Sequence, residues 1–175
     1  MSGERCAVSG GAVLAGAALV AALGVASPAL AQDEIGIARG ATPPAAQVED
    51  MQGNAFDLGR IIGRKPVVVE FWASWCEVCE ELLPRMQAAQ RRYGERVEFI
   101  VIGVGVNQTR RTMIRHIERH PMPFRFFFDP RGAAVRAFQA PATGYVVALD
   151  ARGRVVYTGA GPDQDIVAVV EGILR

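Results

Sequence analysis

The chain has 175 residues, half of them hydrophobic, with 19 Lys plus Arg against 18 Asp plus Glu and a formal net charge of +1. That length suits one domain of about 100 to 150 residues plus an appendage. The balanced charge excludes a nucleic-acid-binding footprint, a polybasic membrane patch and an acidic disordered tail, while three Cys and two His leave few ligands for metal sites built from them.

No charged residue occurs between Arg5 and Asp33, and residues 10–26 form a run of Ala, Val, Leu and Gly. The run is short and weakly apolar for a spanning helix, which needs about 20 strongly apolar residues. Ala29-Leu30-Ala31, preceded by Pro28, has the small residues of a cleavage site, so residues 1–31 read as a signal peptide, with a retained N-terminal anchor as the alternative. Cleavage removes Cys6 and leaves 144 residues with two cysteines, 18 basic and 17 acidic side chains. Export places that cysteine pair in an oxidising compartment, and the arginine-dominated, alanine-rich composition points to a bacterial envelope, hence a periplasmic location.

Residues 32–47, turn-rich around Thr42-Pro43-Pro44, are expected to form a flexible lead-in, with the folded domain over 48–175. Phe56, Leu58, Ile61 and Ile62 among glycines suggest a short strand or hairpin. Val67–Trp72 is a continuous β-branched and aromatic run, the pattern of a strand buried on both faces. From Glu77 to Tyr93 the apolar residues Val78, Leu82, Leu83, Met86 and Ala89 follow helical spacing, with Gly94 as the stop and Pro84 as the expected kink. Val97–Val104 is a second buried strand, and Asn107-Gln108-Thr109 caps a helix running to His120. A third strand over 124–128, a turn at Asp129–Gly132 and a short helix over 133–138 follow. Tyr145–Leu149 and Val155–Tyr157 form an antiparallel hairpin, and Asp163 or Asp165 caps a last helix through Leu174. Alternating strands and helices closed by a hairpin and a helix predict an α/β fold, a mixed sheet with helices on both faces.

The chemistry concentrates in Trp75-Cys76-Glu77-Val78-Cys79, which follows a buried strand and opens a helix. Cysteines three apart on a first helical turn can close a small disulfide ring. At the helix start, unpaired backbone N–H groups and the positive end of the dipole stabilise the thiolate of Cys76, which makes it the attacking thiol. Cys79, one turn deeper, resolves the mixed disulfide. A static disulfide would close too short a loop to constrain the unfolded chain much, and a zinc half-site lacks a second Cys/His pair at ligand spacing.

Val67–Pro84, VVVEFWASWCEVCEELLP, resembles the active-site strand and helix of the thioredoxin superfamily. With the exported setting and the downstream Phe124–Asp129 and Ala140–Thr143 segments, the chain is similar to TlpA-like/ResA-like thiol-disulfide oxidoreductases over about residues 48–174. The resemblance implies a thioredoxin fold with a protein-disulfide reductase activity and no bound cofactor or metal. It places Pro141 as the family's cis-proline facing the cysteines, with Ala140 pairing an extended substrate segment and Trp75 completing the docking surface. It also places Glu70 as a buried acid that takes the proton of Cys79, against the alternative of a glutamate turned outward at a strand edge. Implied partners are a disulfide-containing protein, such as apocytochrome c or a copper-site assembly protein, and a membrane thiol electron donor, with the chain a monomer.

The sequence departs from the pattern at Val78, where relatives often have proline, and at Leu82, where ResA-like proteins have glutamate. Glu77, Glu80 and Glu81 disfavour a nearby thiolate, which destabilises the reduced form and makes the protein an electron donor. A Cu(I) metallochaperone using the same two thiolates is the alternative function. An isomerase would need a longer dimerising arm, and a peroxidase a threonine that Ala73-Ser74-Trp75-Cys76 lacks. His116 and His120, four apart, are read as polar helix residues because no third ligand lies nearby.

Overall fold

The computed structural model of the protein describes residues 35–175, so the apolar segment and cleavage site read at residues 1–31 lie outside the described residues. In chain order it contains β1 (Gln47–Glu49), β2 (Ala55–Asp57), β3 (Val67–Trp72), α1 (Glu77–Tyr93), β4 (Glu98–Val104), α2 (Arg110–Arg119), β5 (Arg125–Asp129), α3 (Ala133–Ala137), β6 (Tyr145–Leu149), β7 (Val155–Ala160) and α4 (Ile166–Ile173). The strands form one seven-stranded sheet, ordered β2-β1-β5-β4-β3-β6-β7. β3, β4 and β5 run parallel, while β1, β6 and β7 are antiparallel to their neighbours.

Strand β3 is buried at all six positions because it lies in the middle of the sheet with helices on both sides. On one face Val68, Val146 and Ala148 pack with Leu82, Met86 and Ala89 of α1 and with Ile166 and Val170 of α4. On the other, Val67, Val69 and Phe71 join Met113 of α2 and Ala134 and Ala137 of α3. The buried stripe of α1, Cys79-Leu82-Met86-Ala89-Tyr93, has the spacing of a single helix face and so carries Cys79 onto the sheet. The helix runs on through Pro84, whose missing N–H leaves the Glu80 carbonyl without its usual donor. Thr109 caps α2 and Asp165 caps α4. Asp163 instead faces Arg85 of α1, 3.2 Å away. At the N-terminal side of β3, Lys65 pairs with Glu98 at 3.2 Å.

The expected flexible lead-in is corrected over its described part. Ile37 is buried, and its N–H donates to Phe138 O and to the Tyr145 hydroxyl, both at 3.2 Å. Gly40 N–H donates to Val155 O at 2.7 Å, and Val155 N–H to Ala41 O at 2.8 Å. Turn-rich composition reports the lack of a regular element, not a lack of contacts, and here backbone groups of the segment find partners on α3, β6 and β7. The Tyr145 hydroxyl also donates to Ile35 O at 3.1 Å. Tyr145→Phe is therefore expected to cost about 1 kcal/mol of stability and to speed amide exchange at Ile37, which hydrogen exchange followed by NMR would read.

Candidate active site

A tight turn delivers the chain from β3 to α1, closed by Cys76 N–H donating to Ala73 O at 3.1 Å. Cys76 is the N-cap of α1 in an extended conformation, and its Sγ accepts the N–H of Cys79 at 3.2 Å. The sulfur thus does the work of a capping oxygen, on the helix end where N–H groups lack intrahelical partners and the dipole is positive. The two cysteines are joined in a disulfide, with Cα atoms 5.3 Å apart. Cys76 keeps 4% of its surface exposed and Cys79 1%, so an incoming sulfur meets Cys76 first. Glu77, Glu80 and Glu81 stand exposed around this first turn, while Leu82 is sealed in the core.

Trp75, 48% exposed, lies against the loop between β4 and α2, its Nε1 donating to Val106 O at 2.9 Å. Val106 is itself 58% exposed, which gives one side of the site an apolar lip. Behind it, Gln108 accepts the Ser74 N–H at 3.0 Å and donates to Val104 O at 2.8 Å.

On the opposite side lie Ala140, Pro141 and, three positions further on, Gly144. Pro141 is exposed, and the Ala140 N–H donates inward to Val135 O at 2.9 Å, which leaves that residue's carbonyl alone for pairing with a substrate. Gly144 is brought against the cysteine motif. Its N–H donates to Phe71 O at 2.8 Å, and a Cβ there would lie 2.6 Å from Val78 Cγ1. With φ at +73°, the position also favours glycine conformationally. The reason is register: Phe71 pairs with Tyr145, so the residue at the head of β6 next to the active-site turn is Gly144.

Glu70 is 2% exposed and its Oε1 has no hydrogen-bond partner. Burial pushes the carboxyl up to about 8. The outward-turned alternative fails because β3 is a central strand, flanked by β4 and β6. Glu70 shares a face with Val68, which packs on Leu82 and Met86, and lies one pleat nearer the active-site end. Since α1 runs back over β3, that step places Glu70 toward the Cys79 end of the helix stripe.

His116 packs edge-on against Trp72 with ring centroids 5.1 Å apart, and against His120 at 4.8 Å. Partial burial and then the neighbouring His120 push it below the ordinary histidine range, while the Glu80 carboxylate opposes them. Among the described residues no group of three or more His, Cys, Asp or Glu side chains is gathered for a metal ion. Sequence reasoning missed Val106, Gly144 and the structural use of Gln108 and Gln164. The signal for Gly144 was its place directly before a buried run.

Dithiol–disulfide exchange is the chemistry that a redox-capable cysteine pair at this strand–helix junction can perform, and with the sheet order above it makes the chain a thioredoxin-fold thiol–disulfide oxidoreductase of the TlpA/ResA type. The chain belongs to the Redoxin family, whose profile matches residues 38–174. It is similar to thiol-disulfide oxidoreductase ResA of Geobacillus kaustophilus, 26% identical over 144 residues that cover 81% of each chain. A shorter stretch of 58 residues is 40% identical to the chloroplastic thioredoxin-like protein HCF164 of Oryza sativa subsp. japonica, covering 33% of this chain and 22% of that relative's length. Among solved structures, the thioredoxin domain of a thiol-disulfide oxidoreductase from Bacteroides vulgatus superposes with a TM-score of 0.68 at 18% identity, covering 79% of this chain and 99% of that one.

Proposed function

We propose that the protein is an exported, monomeric reductant of disulfides in partner proteins, with Cys76 as nucleophile, Cys79 as resolving thiol and Glu70 as the group that moves the proton. The observation that carries the reading is the Cys76 sulfur seated as the N-cap of α1 and hydrogen-bonded to the Cys79 N–H. In the reduced protein the Cys76 thiolate attacks one sulfur of the client disulfide, forming a mixed disulfide and expelling the other client sulfur as a thiolate. Cys79 then gives its proton to the Glu70 carboxylate and attacks Cys76 Sγ. The Cys76–Cys79 bond forms, the second client thiolate leaves, and two electrons have passed to the client. Trp75 with Val106, and the loop from Ala140 and Pro141 to Gly144, form the docking surface. Clients of the kind the resemblance suggests are apocytochrome c or a copper-site assembly protein, with a membrane thiol carrier restoring the dithiol. Residues 1–31 serve as the export signal or as an anchor. The copper-holding reading is not favoured: the ResA relative and the Bacteroides vulgatus structure named above are thiol-disulfide oxidoreductases.

The direction follows from charge. Three exposed carboxylates around the first turn of α1 oppose the helix dipole, so the Cys76 thiolate gains less than the helix end alone would give. The equilibrium potential of the pair, measured against glutathione, is expected near the thioredoxin value of about −270 mV, with insulin reduced in the presence of dithiothreitol. A value near about −120 mV would make the protein an oxidant and reverse the assignment.

A further inference from the structure

Among the described residues four polar or charged side chains are buried, Glu70, Gln108, Asp129 and Gln164. Asp129 caps α3 through the N–H groups of Ala133 and Val135, and Glu70 belongs to the redox chemistry above. The two glutamines have neither use. A buried amide is costly unless it is hydrogen-bonded, so what these two bond to is informative.

Both tie down irregular backbone at the active-site end of the sheet. Gln108 joins the approach to Cys76 to the end of β4, accepting from Ser74 N–H and donating to Val104 O. Gln164 donates to Gly144 O at 3.0 Å and to Gly161 O at 2.7 Å, while its own oxygen accepts the Tyr157 hydroxyl at 3.1 Å. The Gln108 segment includes Asn107 at φ +53°, a left-handed conformation costly for a non-glycine residue that persists where the surroundings over-determine it. Gly144 and Gly161, at +73° and +97°, adopt theirs without strain. One tied segment carries Val106, the partner of Trp75, and the other carries Gly144, seated on Val78 between the cysteines. The Cys76 sulfur takes its own hydrogen bond from Cys79 N–H, apart from either amide.

We propose that Gln108 and Gln164 are positioning residues that hold the two walls of the substrate cleft, Val106 with Trp75 on one side and Gly144 on the other, beside the Cys76–Cys79 bond. The proposal rests on the exchange chemistry assigned above and adds the source of its preference for a polypeptide substrate. A protein segment must touch both walls, whereas a small disulfide needs to reach only the sulfur. Loosening a wall therefore adds an ordering cost to the binding of the first and leaves the second alone.

The test compares Gln108→Met and Gln164→Met, near-isosteric replacements that remove the hydrogen bonds, in the full protein with insulin and with hydroxyethyl disulfide. Expected is a KM for insulin raised about three- to tenfold, with kcat and the rate on hydroxyethyl disulfide within about twofold of the unsubstituted protein. Gln108→Glu, which keeps an acceptor for Ser74 N–H, should recover part of the loss. An unchanged insulin KM, or equal loss on both disulfides, overturns the proposal. Unsubstituted protein that reduces neither disulfide overturns the exchange reading itself, a result distinct from the first two. Should the methionine variants not fold, Trp75→Phe removes the surface tether to Val106 O, and an unchanged insulin KM in that variant overturns the proposal equally.

Discussion

The Cys79→Ser variant, reduced and mixed with insulin, is expected to accumulate as a covalent mixed disulfide through Cys76, with turnover down on the order of a hundredfold or more. The first attack needs Cys76 alone, because its sulfur is the one at the helix end and retains the larger exposure, 4% against 1%. Release needs a second sulfur one helical turn away, and serine cannot supply it. The resolving attack is intramolecular across a Cα–Cα separation of 5.3 Å, so in the unsubstituted protein the mixed disulfide is short-lived. Intact-mass analysis reads the adduct directly. Cys76→Ser should give neither adduct nor turnover, and an adduct on Cys79 in that variant would exchange the two assignments.

The Glu70→Gln variant is expected to separate stability from rate. Glu70 is wholly buried, its carboxyl is pushed up to about 8 by burial, and one of its oxygens has no partner. A folded-state value above that of the unfolded chain means that the folded protein binds the proton more tightly. Stability is then greatest below the ordinary glutamate range and falls as pH rises through the window up to about 8. Across that window the loss is about 5 kcal/mol. Glu70→Gln should flatten this slope and make the protein more stable than the unsubstituted chain at pH 8, a comparison that urea denaturation at two pH values settles. The rate moves the other way. With its carboxyl near 8, about a tenth of Glu70 is ionised at pH 7, and in the proposed mechanism that form takes the Cys79 proton. The resolving step in the unsubstituted protein should therefore accelerate as pH approaches 8, and in Glu70→Gln it should be slower and lack that acceleration. A variant with unaltered resolving kinetics would remove Glu70 from the mechanism and leave it a destabilising buried acid.

Much of the fold was legible where local pattern and final environment agree. Val67–Trp72 is apolar at nearly every position because the strand is buried on both faces, and the cysteine motif follows directly from it. What escaped reading depends on pairings distant in the chain. The docking of Ile37 rests on Tyr145, 108 residues away, and Gln108 serves Ser74, 34 residues away, although locally it looks like part of a helix cap. Gly144 also escaped reading, because its seat against Val78 follows from the register between β3 and β6, which a local pattern does not show.

Lys65 is the single lysine of the chain, half-exposed and paired with Glu98 where β3 begins. The six residues of β3 separate it from the turn that leads to Cys76, a span of about 20 Å at strand rise. Apart from the terminal amine, an amine-selective dye or bead linkage has this one side chain to find. Molecules tethered through it would all stand the same way up, with the reactive sulfur at the far end from the support.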